Sequence, residues 1–76
     1  MEKELIEFIR KEFAIDPEIC ITCETKLISE GIIDSFSLVV LQDFIARKYG
    51  KKIPAPKMTV ENFNTIKRMI EVIANY

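Results

Sequence analysis

Apolar residues recur with helical spacing near both ends of this chain and again in its middle, and the segments between them carry no strand alternation. Leu5, Ile6, Phe8, Ile9 and Phe13 fall on one arc at 3.6-residue spacing, while Glu4, Glu7, Arg10 and Lys11 take the other. That pattern predicts an amphipathic helix from about Glu2 to Ala14. The stretch from Ile15 to Ile33 has neither a helical nor an alternating pattern, yet Ile19, Ile21, Leu27, Ile28, Ile32 and Ile33 are spaced through it. They are expected to pin a long loop across the helices, and a loop of that length in a small domain is usually functional. A second helix is predicted from about Ser35 to Tyr49, with Gly50 as the left-handed residue that stops it. Pro54 and Pro56 are expected to keep the next connection extended.

Thr59 can cap a short helical turn through Val60, Glu61, Asn62 and Phe63, and Thr65 or Asn64 can cap a last helix. In that helix Ile66, Met69, Ile70 and Ile73 repeat at i, i+3, i+4 and i+7, and Lys67 has the spacing to pair with Glu71. Met58 and Met69 read as core fillers. The expected fold is all-α: a small four-helix bundle of three longer helices and one short helix, built from residues 1–76 as a single domain.

Composition narrows the function classes. Seventy-six residues stand near the lower limit at which an apolar core alone holds a fold, so a catalytic cleft with its own substrate pocket is hard to fit. Hydrophobic residues make up 49% and charged residues 30%, the balance of a globular domain and not of a disordered tail. Eleven basic against twelve acidic residues leave a formal charge of -1, without the basic excess that nucleic-acid binding needs. The start Met1-Glu2-Lys3-Glu4 is charged and no apolar run approaches membrane-spanning length. A monomer in the cytoplasm is the expectation, with no membrane insertion.

The candidate chemistry centres on Ser35, in the run Gly31-Ile32-Ile33-Asp34-Ser35-Phe36 at the head of the second helix. Asp34 or Ser35 is a good N-cap residue, and an Asp34 side-chain oxygen is expected to accept from the backbone N–H near Ser37. A phosphodiester on the Ser35 oxygen would sit at the favourable end of the helix dipole. A hydrolase-type serine would instead need a base within hydrogen-bond reach, and the chain contains no histidine. A serine exposed at a helix start without a base is a place to attach something. The plainer alternative is that Asp34 and Ser35 form only a cap.

Taken together, the chain resembles the acyl carrier protein family, the phosphopantetheine-bearing domains of fatty acid, polyketide and related thioester pathways. The resemblance covers the opening helix, the loop ending in Thr25-Lys26-Leu27-Ile28-Ser29-Glu30-Gly31, the motif Asp34-Ser35-Phe36, the helix ending in Tyr49-Gly50, Ile53-Pro54, and Thr59 to Ile73. It implies a non-catalytic carrier whose Ser35 receives 4'-phosphopantetheine from coenzyme A through a phosphopantetheinyl transferase, which supplies base and magnesium. Asp34 stands at the family's preceding acid, with helix capping and transferase recognition as its implied roles. Phe36 takes the place usually held by leucine or methionine. The implied cargo is an acyl or aminoacyl thioester, held for several enzymes at high effective concentration. The implied partners are the transferase, an acyl- or aminoacyl-activating ligase or acyltransferase, and a downstream synthase or transferase.

The departures from that family concern docking. Carriers of primary fatty acid synthesis resemble one another in an acidic recognition helix, at positions that here read Ser37, Val40, Ala46, Arg47 and Lys48. If the core side of the second helix carries Val39, Leu41, Ile45 and Tyr49, the opposite arc exposes Phe36, Val40, Asp43, Phe44 and Arg47 in part. A docking patch around Phe36 and Val40, bordered by Asp43 and Arg47, is therefore expected to be read by packing more than by charge. The alternative is that Phe36, Val40 and Phe44 pack under the loop. The helix looks more like that of discrete carriers of specialised pathways, including the D-alanyl type, and a D-alanyl or peptidyl carrier is the nearest alternative.

Readings from other classes attach to fewer residues. Cys20 and Cys23 form a Cys-x-x-Cys pair, but no βαβ context supports a redox site and no further cysteine or histidine supports zinc. Free thiols are expected, and no metal. Arg47, Lys48, Lys51 and Lys52 read as solvated charges suited to a helix C-terminus, with an acidic partner or the coenzyme A phosphates as the alternative. A small helical protein-interaction module would share the periodicities but would not need Asp-Ser-Phe at this place.

Overall fold

In a computed structural model covering residues 1–76, four α-helices follow one another: α1 (Glu2–Glu12), α2 (Ser37–Tyr49), α3 (Val60–Phe63) and α4 (Ile66–Ala74). A single 3-10 turn at Ala55–Lys57 precedes α3, and there are no strands. The expected architecture holds: a small all-helical bundle of three longer helices and one short one.

The helix ends follow from identifiable residues. Gly50 closes α2 in the left-handed region at φ 67° and its N–H bonds back to Ala46. The Thr59 and Thr65 hydroxyls accept from the N–H groups of Asn62 and Arg68, capping α3 and α4 as expected. Helix α1 stops short of the expected Ala14. There Ala14 takes φ 48° and the Ile15 N–H reaches the Arg10 carbonyl at 3.1 Å, a Schellman-type ending in which alanine occupies the place glycine usually holds. Without a glycine, the sequence does not mark that stop. The segment after Pro54 is also less extended than expected, because the Lys57 and Met58 N–H groups bond to Pro54 and Ala55 and curl the chain into the 3-10 turn.

Thirteen apolar side chains form one core. Leu5 and Ile9 come from α1, Leu41 and Ile45 from α2, Phe63 from α3, and Ile66, Met69, Val72 and Ile73 from α4. Ile21, Leu27 and Ile33 from the long loop and Ile53 from the second connection complete it. Full burial of side chains of this size is worth roughly 1.5–3 kcal/mol each, so the three loop residues help stabilise the domain as well as fastening the loop. Ile28 and Ile32 pack at the edge, whereas Ile19 is exposed. On α4 the inward stripe takes Val72 in addition to the expected residues and leaves Ile70 half-buried.

Helices α1 and α2 meet through aromatics. Phe8 and Phe44 stack with centroids 3.8 Å apart, and Phe13 and Tyr49 approach them edge-on from either side. Phe44 is therefore part of the inter-helix packing and not of an exposed arc. On α4, Arg68 and not Lys67 pairs with Glu71, at 3.6 Å.

Candidate functional site

The loop that begins after α1 ends at Asp34, and the chain enters α2 through a tight lead-in. The N–H groups of Ser37, Leu38 and Val39 bond to the carbonyls of Asp34, Ser35 and Phe36 at 3.1–3.2 Å. These i to i+3 bonds displace the expected Asp34 cap. Its side chain accepts no backbone N–H and reaches only the Ser37 hydroxyl, at a long 3.4 Å, so the regular helix starts at Ser37, two residues later than expected. The cap assignment for Asp34 is corrected accordingly: its backbone carbonyl serves the turn and its carboxylate faces outward.

Ser35 is exposed at this junction and its hydroxyl has no hydrogen-bond partner within the chain, nor do its own N–H and that of Phe36. No histidine exists to act as a base. The local chemistry is a free hydroxyl beside two free backbone donors at a helix entrance, and such donors suit an anionic oxygen.

The surface beside it differs from expectation in one residue. Phe36 is 80% exposed and Val39 is 68% exposed, whereas Val40 is half-buried. Ser37, Leu41 and Ile45 form the inward stripe of α2, and Val39 lies on the far side from Leu41. Val39, expected on the core side, is thus exposed, while Val40 is partly exposed as expected. Asp43 and Arg47 are exposed and pair with each other at 3.1 Å, so their charges largely cancel. A shallow groove of about 440 Å³ starts at Val39 and runs past Gln42, Asp43 and Ala46 to Lys52 and Ile53. Gln42 Nε2 donates to the Ile53 carbonyl at 2.7 Å and fixes the second wall of the groove against α2.

The other charged end of α2 is structural. Lys48 pairs with Glu4 at 3.5 Å, and the Tyr49 hydroxyl donates to the same carboxylate at 2.9 Å. That hydrogen bond, with Lys48 and the chain's amino terminus nearby, holds Glu4 below its ordinary pKa. Burial first, and then Glu4, push Tyr49 up to about 12.

Cys20 and Cys23 are free, the first exposed and the second half-buried. The neighbouring Glu2 carboxylate, with partial burial, raises the Cys23 pKa, which makes the thiol less reactive and not more. No three histidine, cysteine or acidic side chains converge as a metal cluster, and no helix is long and apolar enough to cross a membrane.

Two features go beyond the site expected from the sequence. Val39 lies four residues beyond Ser35, about 40° around a helix, which is the signal that could have put it on the Ser35 face. The sequence offers Asn64 only as an alternative cap for α4, yet its side chain binds the loop 35 residues away.

The chain matches no family model and no curated protein. A crystal structure described as that of an FAD-dependent dehydrogenase contains a similar chain, 28% identical, with 92% of this chain and 99% of that one covered and a TM-score of 0.78.

Proposed function

We propose that this protein is a carrier domain of the acyl carrier kind, holding an acyl or aminoacyl group as a thioester on a 4'-phosphopantetheine arm attached to Ser35. One observation carries the reading: of the chain's three serines, only Ser35 has a hydroxyl that is both exposed and unbonded, the Ser29 hydroxyl accepting from Asn64 and the buried Ser37 donating to Asp34. The residues fit the group. A phosphodiester there would have the Ser35 and Phe36 N–H groups as donors, and the lack of any neighbouring base matches a residue modified by another enzyme. The arm would supply the thiol that carries the cargo; the chain itself presents and does not catalyse. A location in the cytoplasm, where coenzyme A is available, belongs to the same proposal. The D-alanyl and peptidyl carriers share the same attachment chemistry and differ in cargo.

The docking surface belongs to the same proposal. A transferase or loading enzyme that reaches Ser35 must touch what lies within one helical turn of it, and there Phe36 and Val39 stand out from the surface. With Asp43 and Arg47 paired to each other, recognition rests on apolar packing at this patch.

The similar solved chain favours one partner class. Its mutual coverage makes it about as short as this chain, and a chain of that length has one small core and no enclosed space for a dinucleotide. We therefore infer that the likeness points to a carrier working with an FAD-dependent dehydrogenase, and not to a chain that holds FAD itself. Visible absorbance of the purified protein tests this: stoichiometric flavin would overturn it. The carrier reading is tested by incubation with coenzyme A and a broad-specificity transferase, followed by peptide mapping to Ser35.

A further inference from the structure

We propose that Asn64 is a positioning residue for Ser35, acting through a hydrogen-bonded strut that crosses the domain. This rests on the carrier reading and deepens it.

Asn64 sits at the α3–α4 junction, half-buried, between the end of α3 and the Thr65 cap of α4. Its Oδ1 accepts from the Ile28 N–H at 2.9 Å and the Ser29 N–H at 3.0 Å, and its Nδ2 donates to the Ser29 Oγ at 3.1 Å. Its backbone carbonyl accepts from the Leu27 N–H at 2.7 Å. One residue thus satisfies three successive backbone donors of an irregular segment that has no ladder of its own. The Leu27 carbonyl in turn accepts from the Ile33 N–H at 3.0 Å, directly before Asp34 and Ser35. Leu27 and Ile33 are both buried in the core, so the strut is anchored on each side. A parallel tie joins the Cys23 carbonyl to the Lys67 N–H at 3.0 Å, leaving 27–33 as the span whose geometry depends on Asn64.

The consequence concerns aim. The Ser35 hydroxyl and N–H make no hydrogen bond and only its carbonyl is held, by the Leu38 N–H at 3.2 Å, so its position is set by the start of α2 after it and by what holds the residues before it. Group transfer depends steeply on placement: a displacement of about 1 Å can cost on the order of a hundredfold in rate. Asn64 never touches the reacting atoms; its side chain holds Ile28 and Ser29, and its effect on modification passes through their neighbour Leu27, which accepts from Ile33, and through the Ile28 carbonyl, which accepts from the Gly31 N–H at 3.0 Å.

The test uses Asn64→Ala, with Asn64→Asp as the conservative variant, since aspartate keeps the acceptor for Ile28 and Ser29 and loses only the donor to the Ser29 hydroxyl. Circular dichroism checks the fold, amide hydrogen exchange reads the strut, and transferase kinetics with coenzyme A read the modification. Asn64→Ala is expected to stay helical, to speed exchange at Ile28, Ser29 and Ile33, and to lower kcat/KM for modification of Ser35 about tenfold or more. Asn64→Asp is expected to restore most of both. Should alanine prevent folding, Asn64→Gln, which carries the amide one methylene too far out, is expected to give the same losses. Faster exchange confined to Ile28 and Ser29, with Ile33 exchange and the modification rate unchanged, would overturn the inference. A wild-type protein that is never modified would instead sink the carrier reading, and the spread of exchange to Ile33 would still decide whether the strut exists.

Discussion

The Tyr49 hydroxyl, on the last residue of α2, donates to the Glu4 carboxylate in the first turn of α1 at 2.9 Å, locking the two helices where their aromatic packing ends. Each partner favours the other in one protonation state. Glu4 is held low, so its contribution to stability is present above its unfolded pKa and is lost as pH falls through the lower folded value. Tyr49 is pushed up to about 12, so its contribution is complete below the unfolded value of about 10 and is lost as pH rises through about 12.

Phenol absorbance checks this directly. In a Tyr76→Phe background the remaining tyrosine should titrate at about 12. Adding Glu4→Ala should move that midpoint down without reaching the ordinary value, because burial is the larger cause. An unmoved midpoint would show that the hydrogen bond does not form in solution.

Three of the helix ends and most of the core were legible in the sequence, because they depend on neighbours. Gly50, Thr59 and Thr65 act within one turn of themselves, and each does what its residue type prescribes. The outward position of Val39 was legible too. Leu41 and Ile45 fix the inward direction of α2, and Val39 stands about 200° from Leu41 on a helical wheel. What the sequence hides is the choice among local partners and the long-range bonds. Asp34 has the right chemistry for a cap, yet the turn through Ser35 and Phe36 satisfies those N–H groups with backbone carbonyls first. Asn64 lies 36 residues from Ile28, and nothing in its own neighbourhood announces that contact.

The outward position of Val39 has a measurable consequence. Val39→Glu should leave the fold within about 0.5 kcal/mol of the parent, while weakening the productive encounter with the modifying or loading enzyme by about 1–3 kcal/mol, chiefly through faster dissociation. Val40→Glu places a carboxylate at a half-buried position and should destabilise the domain by roughly 1–2 kcal/mol. Thermal melts and loading kinetics of the two variants make the comparison. A folded Val39→Glu protein that loads at the parental rate would show that docking lies elsewhere.

The cysteines should prove dispensable. Replacing Cys20 and Cys23 by serine is expected to leave melting and modification nearly unchanged, because the thiols are free and the Cys23 side chain is held in its protonated form by Glu2 and partial burial. Loss of loading in the double variant, or stoichiometric metal in the purified parent, would contradict this.

The central claim is that Ser35 is the attachment point for a prosthetic arm, and intact mass tests it most directly. After incubation with coenzyme A and a broad-specificity phosphopantetheinyl transferase, the parent should gain the mass of one phosphopantetheine group and no more, with the Ser35 peptide bearing it, while Ser35→Ala should keep its original mass. No gain in the parent, or a gain that persists in Ser35→Ala, would contradict the account.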